Sequence, residues 1–204
     1  MAVTDSMQKK ILMGIIVVLV IVGGIYFVGN NGAKTPQISS NGVEELRKGR
    51  ALAKEGKVQE ALDMYEKAAE RGNLSAMNAA GWYLTRGRDG ISKDVAKGVS
   101  YLTKAADAGL ADAAYNLGKV YMDPLPGVKR DFEKGIKYIS QAAEKGHGLA
   151  IYFLGIYYEI GRGVEKDTAK ALELYDKAAA TTRLKNIKAR AESRAARLRA
   201  AGVN

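Results

Sequence analysis

Three carboxylates stand at nearly equal intervals in this chain, Asp94, Asp131 and Asp167, each just ahead of a run carrying Lys, Tyr and paired Ala. Carboxylates can run acid–base chemistry when a fold brings two of them to one reacting bond. Repetition once per unit points elsewhere. An Asp that opens a helix accepts hydrogen bonds from the unpaired N–H groups of the first turn and complements the helix dipole. There is one histidine, His147, in the turn-like Gly146-His147-Gly148, and no cysteine. A zinc site needs three or four His, Cys or carboxylate ligands, and a nucleophilic triad needs a base beside its nucleophile. His147 has neither companion and is expected in a solvated turn. No GxSxG, HExxH or Walker-type stretch occurs. The sequence therefore leads away from an enzyme, and no metal, cofactor or small-molecule substrate is expected.

The elements that carry the three Asp residues recur. Ala80-Gly81, Leu117-Gly118 and Leu154-Gly155 follow one another at steps of 37 residues. Ala-Ala pairs at 68–69, 105–106, 142–143 and 178–179 keep steps of 37, 37 and 36. A fixed period of this length marks a stacked-repeat architecture. The clearest unit is Ala150–Ala179, two helical runs separated by Gly161-Arg162-Gly163. Val43–Gly72 is the first unit, with Gly49, Ala61, Tyr65 and Ala68 at the packing positions of a helix pair and Gly56-Lys57 as its turn. Later units have longer internal loops at Arg86–Ile91, Met122–Val128 and Glu159–Val164, the second stiffened by Pro124 and Pro126. A glycine inside a helix costs about 1 kcal/mol against alanine. Gly81, Gly118 and Gly155 recur at one position, so close approach of a neighbouring helix is the expected compensation.

These residues resemble the Sel-one-like repeat (SLR) family, a branch of the tetratricopeptide-like (TPR-like) α-solenoids. The fourth unit carries the family pattern at Ala150, Leu154, Gly155, Tyr158, Gly161, Gly163, Val164, Asp167, Lys170, Ala171, Tyr175, Lys177, Ala178 and Ala179. The third keeps Leu117, Gly118, Tyr121, Gly127, Val128, Asp131, Lys134, Tyr138, Ala142, Ala143 and Gly146. The second departs from it with Ala80 for Leu and Leu84 for Tyr. The resemblance implies an all-α fold, a right-handed solenoid of about four helix-turn-helix repeats that binds other proteins. Solenoids use an extended concave surface for this. By TPR-like geometry its positions fall three before, one after and four after the recurrent Gly. They are Asn78, Trp82 and Thr85, then Tyr115, Lys119 and Met122, then Tyr152, Ile156 and Glu159. Trp82 and Ile156 are the large apolar residues at positions the family leaves variable, and they are expected to touch a partner.

The formal charge of +10 is uneven. Residues 1–42 carry +2 and residues 183–204 carry +6, while 43–182 set 22 basic residues against 20 acidic ones. A near-neutral repeat body offers no continuous basic groove, and nucleic acid is not the expected partner. The segment 183–204 reads as a basic capping helix. Arg190, Arg194 and Arg197 form a face that either serves as the polar outside of the cap or meets anionic lipid or an acidic protein.

Ile11–Val28 is eighteen residues without a charge, thirteen of them Ile, Leu, Val or Phe. Such a run favours insertion and, as a helix, reaches roughly 27 Å, enough for a bilayer core. The sequence predicts residues 1–10 as a cytoplasmic N-terminus, 11–28 as a transmembrane helix and 29–42 as a flexible linker. A solenoid over 43–182 and the cap over 183–204 follow. A cleaved signal peptide is the competing reading of the apolar run, although Gly29-Asn30-Asn31-Gly32-Ala33 is a poor cleavage site. Lys9 and Lys10 ahead of the span put the repeats outside the cytoplasm, in the periplasm of a Gram-negative bacterium. The expected function is a single-pass membrane protein acting as a scaffold or adaptor at the cell envelope. An immunity protein that neutralises a secreted toxin and a cytoplasm-facing signalling adaptor are the alternatives.

Overall fold

The computed structural model describes residues 17–21, 24–28, 41–87 and 90–203. The chain divides into two compact units, residues 1–40 and 41–204. In the first, β1 (Val17–Ile21) and β2 (Gly24–Val28) pair antiparallel, Val17 opposite Val28 and Ile21 opposite Gly24. The described part of the expected transmembrane helix is therefore strand, while 11–16 and 22–23 lie outside the described residues. Composition supplies the reason. VVLVI and GIYFV are dominated by β-branched and aromatic side chains, which suit a pleated strand. No described helix is long and apolar enough to cross a membrane. Most of the expected linker, residues 29–40, also lies outside the described residues.

The second unit is a chain of helix pairs, nine helices among the described residues. They are α1 (Val43–Lys54), α2 (Val58–Glu70), α3 (Leu74–Arg86), α4 (Val95–Asp107) and α5 (Ala111–Met122), then α6 (Phe132–Glu144), α7 (Gly148–Ile160), α8 (Thr168–Thr181) and α9 (Lys185–Ala200). Each helix packs mainly on its neighbours in sequence, as a stacked array requires. The first helices α3 and α5 also touch, as do α7 and the terminal α9.

The recurrent glycines lie where these helices cross. A Cβ on Gly118 would stand 2.5 Å from Ile139 Cγ1 and 2.9 Å from the carbonyl oxygen of Gly135. On Gly81 it would meet Leu102 Cγ at 2.7 Å and the Gly98 oxygen at 2.9 Å. Only hydrogen fits, so α3 and α5 approach α4 and α6 backbone to backbone. The outer repeats solve the contact differently. Ala61 and Ala171 replace the second-helix glycine, and the flat rings of Tyr65 and Tyr175 lie against Gly49 and Gly155 at 2.7 and 2.9 Å from the missing Cβ. Ala68, Ala105, Ala142 and Ala178 are all fully buried, so the alanine beat marks the same seam on the second helices.

The three periodic carboxylates do open helices. The Oδ1 atoms of Asp94, Asp131 and Asp167 accept from the backbone N–H of Lys97, Lys134 and Lys170 at 2.9, 2.9 and 2.8 Å. They are exposed or half-buried and one repeat apart, so no two of them share a site. Repeats also meet through polar ties: Lys97 to Glu66 at 2.7 Å, and Gln141 Nε2 to the Ala106 oxygen at 2.9 Å. The apolar core falls into two clusters, one from Leu46 to Ile91 and one from Leu102 to Leu198.

Candidate functional site

The nine residues expected on the concave surface separate into three rows, set by their distance from the recurrent glycine. The row four residues after it is closed. Met122 is 0% exposed and Thr85 2%. Their side chains fill the space that a Cβ on the facing second helix would need, Met122 Sδ at 2.5 Å from that point on Gly135 and Thr85 Cγ2 at 2.7 Å on Gly98. Thr85 spends its hydroxyl proton on the Gly81 carbonyl at 2.8 Å. Both residues complete the helix crossing, and Thr85 also lines the cleft beside Trp82.

Glu159, third in that row, is also turned inward, with its side chain 12% exposed. Its carboxylate accepts from the Tyr175 hydroxyl, from Arg194 Nη1 at 2.7 Å and from Arg197. Burial alone would raise this carboxyl, but the Tyr175 hydroxyl and the two guanidinium groups outweigh it and hold it below the usual range. The basic face expected on the last helix is therefore largely committed within the molecule. Arg194 and Arg197 clasp α9 to α7, and Arg199 pairs with Asp176 on α8 at 2.6 Å. Arg190 is exposed and lines a cleft with Tyr152, Ser193 and the two clasping arginines.

The row three residues before the glycine closes progressively along the array. Asn78 is half-buried and its Oδ1 accepts from Asn116 Nδ2 at 2.9 Å, joining α3 to α5. Tyr115 is half-buried and stacks on His147, with ring centres 4.7 Å apart. Tyr152 is 4% exposed and packs on Tyr175 at 5.9 Å, so it belongs to the core that α9 closes.

The row one residue after the glycine remains partly open. Trp82, Lys119 and Ile156 are half-buried. Trp82 meets the Tyr83 ring edge-on at 5.1 Å, and the Arg86 guanidinium lies 5.5 Å from the indole centre. Lys119 reaches Asp123 at 2.5 Å and lies 4.8 Å over the Phe153 ring. Between α3 and α5 these residues border a cleft of about 170 Å³, walled by Trp82, Thr85, Arg86, Asn116, Lys119, Asp123 and Leu125. Sequence reasoning missed Arg86, Asn116, Asp123 and Phe153. The signal was present, because two before and five after the recurrent glycine are further positions on the same helix face.

His147 departs from expectation. It is the N-cap of α7, its Nδ1 accepting from Ala150 N–H at 3.1 Å while Nε2 faces Asp112 at 3.3 Å. Burial pushes the imidazole pKa down, against the opposing pull of Asp112. Asn73, 74 residues earlier, caps α3 in the same way at 3.0 Å. A search for cap residues in the repeat register would have found both. Among the described residues no group of three or more His, Cys, Asp or Glu could hold a metal ion.

The Sel1 repeat family model matches residues 50–73, 74–110, 111–147 and 148–180, the last three starting where α3, α5 and α7 start. A Sel1 repeat protein from Oxalobacter formigenes is similar, with 29% identity, 82% of this chain and 67% of that chain covered, and a TM-score of 0.68. The uropathogenic Escherichia coli protein c5321, described as a protective antigen displaying an SLR fold, is 30% identical with a TM-score of 0.61. That match covers 69% of this chain, which spans 30% of the E. coli protein's length. The four matched segments take in well over half of the sequence, and their period is the period of the helix pairs: this chain belongs to the Sel1 repeat family.

Proposed function

We propose that the chain is a membrane-tethered interaction protein whose first-helix face docks a segment of another protein and holds it at the cell envelope. The observation that carries the docking reading is the half-buried row Trp82, Tyr115, Phe153 and Ile156, contributed by α3, α5 and α7. The neighbouring positions on the same helices are closed by Thr85, Met122 and Glu159, so an aromatic strip borders a finished surface. Large rings that are half open and rimmed by polar groups suit a partner's anchor residues. Membership of a repeat family built on stacked helix pairs supports the same reading.

The tether rests on Ile11–Val28. In water its β-branched residues favour strand, but inside a bilayer an uncharged eighteen-residue segment can satisfy its backbone by itself only as a helix. Lys9 and Lys10 supply the positive flank that keeps the N-terminus in the cytoplasm.

Both parts are tested on the intact protein purified from membranes. Trp82→Ala combined with Ile156→Ala is expected to cut partner recovery while leaving helicity unchanged. Unchanged recovery would place the interface elsewhere. The protein is expected to stay in the membrane fraction after alkaline extraction, and a periplasm-only reporter fused after Asn204 is expected to give signal. Release at alkaline pH would remove the tether, and a silent reporter would turn the repeats towards the cytoplasm.

A further inference from the structure

The charges along the first helices say what kind of segment the docking face takes, an inference that rests on the proposed docking function. Aligning the repeats on Gly49, Gly81, Gly118 and Gly155 puts Arg50, Trp82, Lys119 and Ile156 in the row one residue on. The row five residues on holds Lys54, Arg86, Asp123 and Ile160. Four cations and one carboxylate thus occupy the two rows. The carboxylate is already matched, since Asp123 is held by Lys119 at 2.5 Å and approached by Arg162 at 3.7 Å. Arg50, Lys54 and Arg86 are exposed, and no ion pair joins them to a carboxylate among the described residues. Arg86 lies 5.5 Å from the Trp82 ring centre and Lys119 4.8 Å from that of Phe153, which places both beside the aromatic strip. The cleft beside Trp82, about 170 Å³, has room for one large side chain. Its floor includes Leu102 and Val120.

We infer that this face binds an acidic segment of a partner protein, one apolar side chain seated against Trp82 and flanking carboxylates on Arg86, Arg50 and Lys54. The apolar seat supplies affinity, and the excess cations select for acid and speed encounter. A nucleic acid is the poorer occupant. Its phosphates would need a continuous cationic track, whereas Trp82, Ile156 and Ile160 interrupt both rows and 43–182 is nearly neutral.

Trp82 is the sole tryptophan, so its fluorescence reports on the cleft directly. The full chain in non-ionic detergent is titrated with a synthetic peptide of alternating Glu and Leu, a Lys–Leu peptide of equal length, and a single-stranded oligothymidylate. A saturable change in emission with the acidic peptide alone is expected, weakening steeply between 50 and 300 mM salt. Arg50→Glu with Arg86→Glu is expected to raise its Kd about tenfold or more. Both side chains are exposed, and an unchanged circular dichroism spectrum and melting temperature identify a folded variant. No saturable change with the acidic peptide, an unaltered Kd in the reversed variant, or tighter binding of the oligonucleotide would overturn the inference. Co-purification separates this from the docking function. A native partner lost on Trp82→Ala with Ile156→Ala but retained by the charge-reversed variant would overturn the preference for acid and leave the docking face in place.

Discussion

His147 shows how much one side chain can depend on its protonation state. Its Nδ1 accepts a backbone hydrogen bond only while unprotonated, and that bond caps α7. With the folded pKa depressed by burial, the unfolded chain takes up the proton more readily. The capping stability is therefore full above about pH 6.5, the unperturbed value, and is lost as pH falls toward the folded pKa. A side-chain cap contributes about 1 kcal/mol. His147→Asn keeps an acceptor that does not titrate. The difference in unfolding free energy between parent and variant is expected to be flat above pH 7 and to tilt against the parent below pH 6. Parallel curves from pH 5 to 8 would show that the imidazole does not titrate against the cap. The periodic carboxylates were legible as caps from sequence, because one Asp per repeat admits a local cause. His147 was legible only through the repeat register it shares with Asn73, because a Gly-His-Gly stretch by itself does not distinguish a capping imidazole from a solvated one.

At the scale of the helix pair, stability turns on whether two backbones can approach. An alanine at Gly118 would gain about 1 kcal/mol in helix propensity. It would also drive a methyl group into Ile139 and the Gly135 carbonyl, an overpacking that typically costs 1–3 kcal/mol. Gly118→Ala is expected to destabilise by up to about 2 kcal/mol in chemical denaturation. Adding Ile139→Val should recover little, because valine keeps the Cγ1 atom and the carbonyl oxygen of Gly135 stays where it is. A variant as stable as the parent would mean that α5 and α6 can part without loss. The glycine period announced this contact in the sequence. What it did not announce was that Thr85 and Met122, spaced as surface residues, would be drawn under the facing glycines Gly98 and Gly135.

At the scale of the molecule, the unit over residues 41–204 is an array in which each repeat contacts its neighbours, so a local loss should stay local. The clasp at Glu159 tests this. Glu159→Ala leaves Arg194 and the Tyr175 hydroxyl without their acceptor, and roughly 1–3 kcal/mol is expected for stranding such hydrogen-bonded groups. Hydrogen exchange should quicken in α8 and α9 and remain unchanged in α1 to α4. A uniform increase would mean that the repeats unfold as one body. The amino-acid sequence by itself determined the repeat period, the helix starts at Asp94, Asp131 and Asp167, and the glycine seams, because each follows from contacts that recur at a fixed separation. Only the tertiary structure decided that Arg194 and Arg197 close onto Glu159, and that Tyr152 is core while Trp82 stays half open. Those outcomes depend on which helix stands beside a side chain, and at the end of an array the neighbour is one that no repeat specifies.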